Sequence, residues 1–315
     1  MLNIKSGKLT RPQKLVIYGP EGIGKSTLAS QAPHPLFIDT EGGTAHMDVR
    51  RIENPTSWEQ LISTVKEVAA EPSICETLVL DTADWAEAIC VKDVCAKYKK
   101  SGIEEFGYGK GYVYVAEEFS RLLAAFDLVV NAGINVVITA HAKMRKFEQP
   151  DEMGAYDRWE MKLSKQVAPL LKEWCDTLLF LNYKTYVVTA DNDTKKAQGG
   201  KRVMYATHHV CWDAKNRTNL PDEMDLDFAN ISSLFPPKAL EAQPDTPTPL
   251  EVLRSKMLEA HISDEELQEL VAAKRYYPKG TTVAAYPENF ITRWVLPNWS
   301  KIVETIEADP NRLPF

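Results

Sequence analysis

No two of the five cysteines (Cys75, Cys90, Cys95, Cys175 and Cys211) form a CxxC pair. Cys90 and Cys95 lie five apart in an apparent helix, with no matching His/Cys pair elsewhere, so a metal site is not expected and reduced core thiols are. No stretch approaches the roughly 18 apolar residues of a membrane helix. Met1 to Thr10 lacks the apolar region of a signal peptide. These absences predict a soluble, cytoplasmic chain with no membrane partner. An excess of positive charge is also missing. The formal net charge is −7, which excludes a strong global attraction to nucleic acid, so any such contact must come from local basic loops. Internal repeats are absent too. Of the 315 residues, 44% are apolar and 26% charged, enough apolar material for a sizeable core. The length predicts roughly two domains.

Six short apolar runs punctuate the first 206 residues. They are Leu15–Tyr18, Leu36–Ile38, Thr77–Leu80, Asn135–Ile138, Thr177–Leu181 and Arg202–Ala206. Each is continuous rather than alternating, as expected for strands buried on both faces of a parallel sheet. Between them lie helical patterns. Trp58–Ala70 carries Leu61, Ile62, Val65 and Val68, and Val115–Asn131 carries Phe119, Leu122, Leu123 and Phe126. The alternation predicts an α/β domain with a mostly parallel sheet. Five prolines between Pro236 and Pro249 mark an extended linker. The expected division is therefore a domain over 1–235, a linker over 236–249, and a small, mostly helical domain over 250–315. In the last, Ser263 and Glu266 fit a capping box, Lys274 and Arg275 suit a helix C-terminus, and Trp294, Trp299 and Ile302 fit a small core.

Gly19-Pro20-Glu21-Gly22-Ile23-Gly24-Lys25-Ser26 matches GxxxxGK[ST] in full, between a predicted strand and a predicted helix. The glycines let successive backbone N–H groups turn inward as an anion nest. The helix that follows aims its N-terminus at the phosphates. Lys25 is expected on the β and γ phosphates as a point charge. Ser26 is expected on Mg²⁺, with Thr27 lining the site. The motif thus predicts ATP and Mg²⁺ as cofactors.

Two acids complete the expected machinery. Asp81 ends an apolar strand and is expected on the Mg²⁺ side of the phosphates. Thr82 follows it, so a catalytic glutamate does not come next and the base must lie elsewhere. Glu41 sits just past the strand ending Phe37-Ile38-Asp39-Thr40 and beside Gly42 and Gly43. A carboxylate there is placed to orient and deprotonate the attacking water.

A phosphate loop, then FIDTEGG, then an apolar strand ending in Asp without a following Glu, resembles the RecA-type ATPase core. That resemblance implies Glu41 as the catalytic base. Val136-Val137-Ile138-Thr139-Ala140-His141 resembles the next core strand, whose tip in that family carries a polar γ-phosphate sensor, often Gln; here the position is His141. Ala214-Lys215-Asn216-Arg217 resembles the KNR or KQR element of RadA-like and DnaB-like relatives. Carried over, it makes Lys215 and Arg217 fingers that reach a neighbouring subunit's ATP, and it implies a homo-oligomer. Over residues 10–235 the chain is most similar to phage-encoded ATP-binding proteins with a minimal RecA core, some of which act in single-strand annealing recombination. The large N-terminal polymerisation segment of RecA has no counterpart, so filament formation by that route is not expected.

Two segments are candidate contacts for single-stranded DNA. The first, Tyr98–Tyr114, interleaves Phe106, Tyr108, Tyr112 and Tyr114 with lysines around Lys97, Lys99, Lys100 and Lys110. Aromatic faces suit bases and lysines suit phosphates. The second, read as a loop directly after His141, holds Lys143, Arg145, Lys146, Phe147, Tyr156, Arg158 and Trp159. The expectation is a DNA-stimulated ATPase of recombination or annealing, with a single-strand-binding or other replication protein as a further partner. A helicase or helicase-loading ATPase and a nucleotide-controlled interaction module are the alternatives. No lid with clustered arginines marks a small-molecule kinase.

Overall fold

The computed structural model describes residues 7, 11–148, 154–189, 195–235 and 249–309. The chain divides into two compact units, Met1–Lys238 and Ala239–Phe315.

In the first unit the elements run β1 (Lys14–Gly19), α1 (Lys25–Ala29), β2 (Pro35–Asp39), β3 (Arg50–Ile52), α2 (Trp58–Ala70), β4 (Thr77–Asp81), α3 (Ala83–Lys97), α4 (Lys110–Asn131), β5 (Asn135–Glu148), β6 (Ala155–Met161), α5 (Val167–Trp174), β7 (Thr177–Thr189), β8 (Lys195–Tyr205), β9 (Lys215–Asn216) and β10 (Glu223–Asp225). The sheet order is β10-β8-β7-β1-β5-β4-β2-β3, with β6 added to β5 and β9 to β7. The six strands from β7 to β3 in that order are parallel. The run Arg202–Ala206, expected as a parallel strand, instead belongs to β8, which returns antiparallel along β7. The fold is the expected α/β with a mostly parallel sheet.

The continuous apolar runs have a direct cause: the two faces of the central strands are buried in different cores. Val16, Tyr18, Leu36, Ile38, Leu78, Leu80, Val136, Ile138, Leu178 and Phe180 face the helices α2 to α5. Leu15, Ile17, Phe37, Val79, Val137, Leu179 and Leu181 face α1 and the turns around Ile231 and Leu234. Each such fully buried side chain contributes about 1.5–3 kcal/mol. Helix α2 begins where Ser57 accepts from Gln60 N at 3.2 Å, and its apolar stripe includes Trp58, stacked on Phe119.

Helix α4 starts five residues before the expected Val115, inside the segment Tyr98–Tyr114. That segment is largely built rather than a loop. Tyr98 stacks on Tyr114, and Phe106 packs edge-on against both. Three of its aromatic faces are thereby used internally, while Tyr108 stays fully exposed.

In the second unit, α6 (Pro249–Glu259), α7 (Asp264–Ala273), α8 (Glu288–Phe290), a π-turn (Ile291–Val295) and α9 (Trp299–Glu307) surround a core of Leu253, Leu267, Val271, Ile291, Val295 and Ile302. The capping box of Ser263 and Glu266 is formed, at 2.7 and 3.2 Å. Apart from Pro249, the Pro-rich linker lies outside the described residues.

Candidate functional site

The parallel register brings the ends of β1, β2 and β4 and the middle of β5 to one edge. Gly19 on β1 pairs with His141 on β5, and Asp39 on β2 with Asp81 on β4. Ligands of open α/β sheets bind outside this carboxyl edge.

The phosphate loop springs from Gly19. A Cβ there would stand 2.5 Å from Leu181 O on the neighbouring strand. Gly22 and Gly24 adopt φ of 71° and 111°, a left-handed backbone that glycine takes without cost. Lys25 is 5% exposed, and its ammonium donates to Gly19 O at 3.2 Å and Pro20 O at 3.0 Å. Burial lowers its pKa from 10.5, opposed by Asp81, Asp84, Glu41 and Glu21. A buried cation on an open glycine nest fits a polyphosphate. On the β7–β8 hairpin, Tyr183 and Arg202 face each other and back the loop from outside, donating to Gly22 O at 3.5 Å and Ile23 O at 3.4 Å.

Ser26 lies in the first turn of α1 and is half-buried. Asp81 is 3% exposed and accepts from Thr139 Oγ1. Among the described residues no group of three or more His, Cys, Asp or Glu side chains is arranged to hold a metal. That donor set fits Mg²⁺ rather than a caged ion, because Mg²⁺ relies on one or two protein oxygens, phosphates and water.

Glu41 occupies a turn that Asp39 organises. The buried Asp39 carboxylate accepts from Glu41 N at 3.0 Å, Gly42 N at 2.6 Å, Thr44 N at 2.8 Å and Thr44 Oγ1 at 2.5 Å. Burial works to raise its pKa, and these bonds outweigh it and hold the value low. The Glu41 carboxyl, partly exposed, lies 3.8 Å from His141 Nε2. Its pKa is raised, chiefly by burial and further by Asp84 and Asp81, against His141 and Lys25. On the other side of the ring, His141 Nδ1 is 2.8 Å from Asp84 Oδ2, and His141 N donates to Asp84 Oδ1 at 3.0 Å. Lys25, Asp81, Glu41 and His141 thus lie within electrostatic reach of one another. Asp84 joins them without having been expected. It sits in the first turn of α3, where an acid reads as ordinary dipole compensation. Its one signal is the short spacing from Asp81.

The sequence comparison decides the family. The AAA-domain family matches residues 11–218, well over half of the chain. The chain belongs to the AAA-domain family. This AAA-domain protein is a P-loop ATPase, of a family that uses nucleotide and usually Mg²⁺. No curated protein matches it in sequence. Among solved structures it is similar to the flagellar accessory protein FlaH from Methanocaldococcus jannaschii, at 11% identity and a TM-score of 0.33, over 62% of this chain and 77% of that one. It is equally similar to the KaiC-like protein PH0186 from Pyrococcus horikoshii OT3, at 11% identity and a TM-score of 0.33, over 62% of this chain and 79% of that one.

Lys215 and Arg217 of the AAA-domain protein stand away from its own phosphate loop. Lys215 pairs with Leu178 near the start of β7, at the opposite end of the sheet. Its ammonium donates to Lys172 O at 2.9 Å, Glu173 O at 3.0 Å and Cys175 O at 2.5 Å, closing the C-terminal end of α5. Arg217 is 3.4 Å from Asp176, which Arg11 also approaches, at 2.6 Å. Neither residue is within reach of the site in the same chain. The segment after His141 is not a loop, as expected, but a β-hairpin of β5 and β6. Several of its cations are engaged. Lys143 donates to Leu163 O at 2.8 Å, Arg145 pairs with Glu160 at 3.3 Å, and Arg158 pairs with Asp213. Among the described residues, no helix is long and apolar enough to cross a membrane.

Proposed function

We propose that this ATPase hydrolyses ATP with Glu41 as general base and couples the hydrolysis to contact with single-stranded DNA, in recombination or annealing. Lys25 neutralises charge building on the β and γ phosphates. Mg²⁺, held through Ser26 and Asp81, adds to that neutralisation when bound. Glu41 takes the proton of the attacking water, and its pKa, raised chiefly by burial, makes it a stronger base than an ordinary glutamate. His141 stands as the polar residue on the γ-phosphate side of the same space.

The observation that carries the coupling is the continuity of β5. One strand bears His141 beside Glu41 and then runs on into the β5–β6 hairpin, with Lys143, Arg145 and Lys146 along it. A shift at the phosphate end therefore reaches the hairpin without crossing a hinge. Phe147 and Tyr156 pack edge-on across the hairpin at 5.6 Å, an aromatic pair among cations of the sort single strands stack against. A second copy of the chain completes the reading, with Arg217 reaching the neighbour's nucleotide.

Steady-state ATP hydrolysis with and without oligo(dT), at low and high salt, tests this. Stimulation that fades with salt supports it, because phosphate contacts release counterions. Equal rates at both salts contradict the DNA coupling and favour a nucleotide-controlled interaction module.

A further inference from the structure

The nearly buried Asp84 carboxylate at this edge has no expected role in a P-loop site. It meets His141 at two points. Oδ1 accepts the backbone N–H of His141 at 3.0 Å, and Oδ2 lies 2.8 Å from Nδ1 of the ring. Both side chains are nearly buried, 8% and 6% exposed for His141 and Asp84, so water does not compete for these bonds. The far ring nitrogen, Nε2, points at Glu41 Oε2, 3.8 Å away. The two-point contact fixes more than position. A carboxylate only accepts, so Nδ1 must carry the hydrogen, and a neutral ring must then present Nε2 as an acceptor.

We infer that Asp84 is a positioning residue for hydrolysis: it locks the orientation and tautomer of His141 so that Nε2 faces the catalytic base as a proton acceptor. This rests on the reading of Glu41 as base. The water proton passes to the Glu41 carboxylate as the oxygen of that water bonds to the γ-phosphorus and the bond to the ADP oxygen breaks. The same proton can then move from the Glu41 carboxyl to His141 Nε2, leaving Glu41 ionised and an imidazolium against the Asp84 carboxylate. At 3.8 Å this transfer takes a small rotation of Glu41 or one bridging water. His141 is then both the end of the base's proton path and a residue of β5, so the protonation that follows hydrolysis is placed on the strand leading to the hairpin.

Asp84→Asn tests the assignment with little change of shape. The carbonyl of the introduced amide keeps the bond from His141 N, which turns the amide NH₂ toward Nδ1. The ring hydrogen must then move to Nε2, and the acceptor facing Glu41 is lost. The measurement is the pair of imidazole ¹⁵N shifts of His141 in the full-length chain, above the imidazole titration, assigned by the missing signals of His141→Gln. The wild-type protein is expected to show the Nδ1–H tautomer and D84N the Nε2–H tautomer. Turnover in D84N is expected to fall about 10²-fold in kcat, the lower range for a positioned proton acceptor, with ATP affinity and KM little changed. The double variant D84N/H141Q is expected to be no slower than H141Q, because Asp84 acts through His141.

An Nε2–H tautomer in the wild-type protein overturns the inference, whether or not D84N folds. So does full turnover in D84N, or a double variant in which the two losses multiply. Unchanged turnover in Glu41→Gln would instead remove the base assignment, which the nitrogen shifts do not report.

Discussion

Thr40 and Thr82 tie the tips of β2 and β4 together through a reciprocal pair of bonds. Thr40 Oγ1 donates to Thr82 O at 2.8 Å and accepts from Thr82 N at 2.9 Å, and Thr40 N donates to Asp81 O at 2.8 Å. One hydroxyl thereby satisfies both backbone groups of a residue that is 1% exposed, and it sets Glu41 one residue from Asp81's strand end. Thr40→Val keeps the side chain's volume and strands Thr82 N, while Thr82 O keeps its bond from Ala86 N at 3.0 Å. The expected cost is about 1–3 kcal/mol in urea unfolding, with a larger fall in kcat than in ATP affinity. A variant as stable and as fast as the wild type would show that the tie does not position Glu41.

The pH dependence of hydrolysis follows from Glu41 and Lys25. Glu41 works as a carboxylate, so activity is lost as pH falls through its pKa in the folded protein. Burial, Asp84 and Asp81 raise that pKa, so the acid limb of the kcat profile is expected above the ordinary value of 4.5. Lys25 works as a cation, and burial lowers its pKa despite four nearby carboxylates, so nucleotide-dependent activity is expected to fail on the alkaline side below the ordinary 10.5. An acid limb at or below 4.5 would remove Glu41 as the base.

Lys215 and Arg217 separate in their expected effects. Lys215→Met removes three bonds to the end of α5 and is expected to lower stability by about 1–3 kcal/mol, whatever its role between subunits. Arg217→Ala, which removes a partly exposed pair with Asp176, is expected to change stability by less than about 1 kcal/mol. Mixing Arg217→Ala subunits with Lys25→Ala subunits is expected to restore some turnover, since an interface in which the Arg217→Ala subunit's phosphate loop meets the Arg217 of a Lys25→Ala subunit is complete. No recovery at any ratio would count against a shared site.

The strands that sequence made legible are those whose two faces are both buried. The strands at Val16, Phe37, Val79 and Val137 read as continuous runs because each residue has a core to enter, and α2 spans Trp58–Ala70 just as its apolar spacing predicts. Strand β3 was not legible: it is three residues long, begins Arg50-Arg51 and is largely exposed at the sheet edge. The hairpin after His141 mixes charged and aromatic residues and reads as a loop until strand pairing aligns Met144 with Trp159 and Phe147 with Tyr156. At the site, the glycine-rich motif and the strand-end acids are local patterns. The Asp84–His141 pair is 57 residues apart and arises only when β5 pairs beside β4. Lys215 shows the converse. A short basic motif stood out, while the three carbonyls that engage its ammonium became visible only once α5 was packed against β9.

ATP binding and ATP turnover measured side by side in Glu41→Gln bear most directly on the central claim, that Glu41 is the base of a P-loop ATPase. Gln keeps the shape and removes the proton acceptor. Nucleotide affinity is expected to stay within about threefold of the wild type while kcat falls by about 10²–10⁴-fold. Turnover at the wild-type rate, with affinity unchanged, would contradict the claim and place the base elsewhere at the sheet edge.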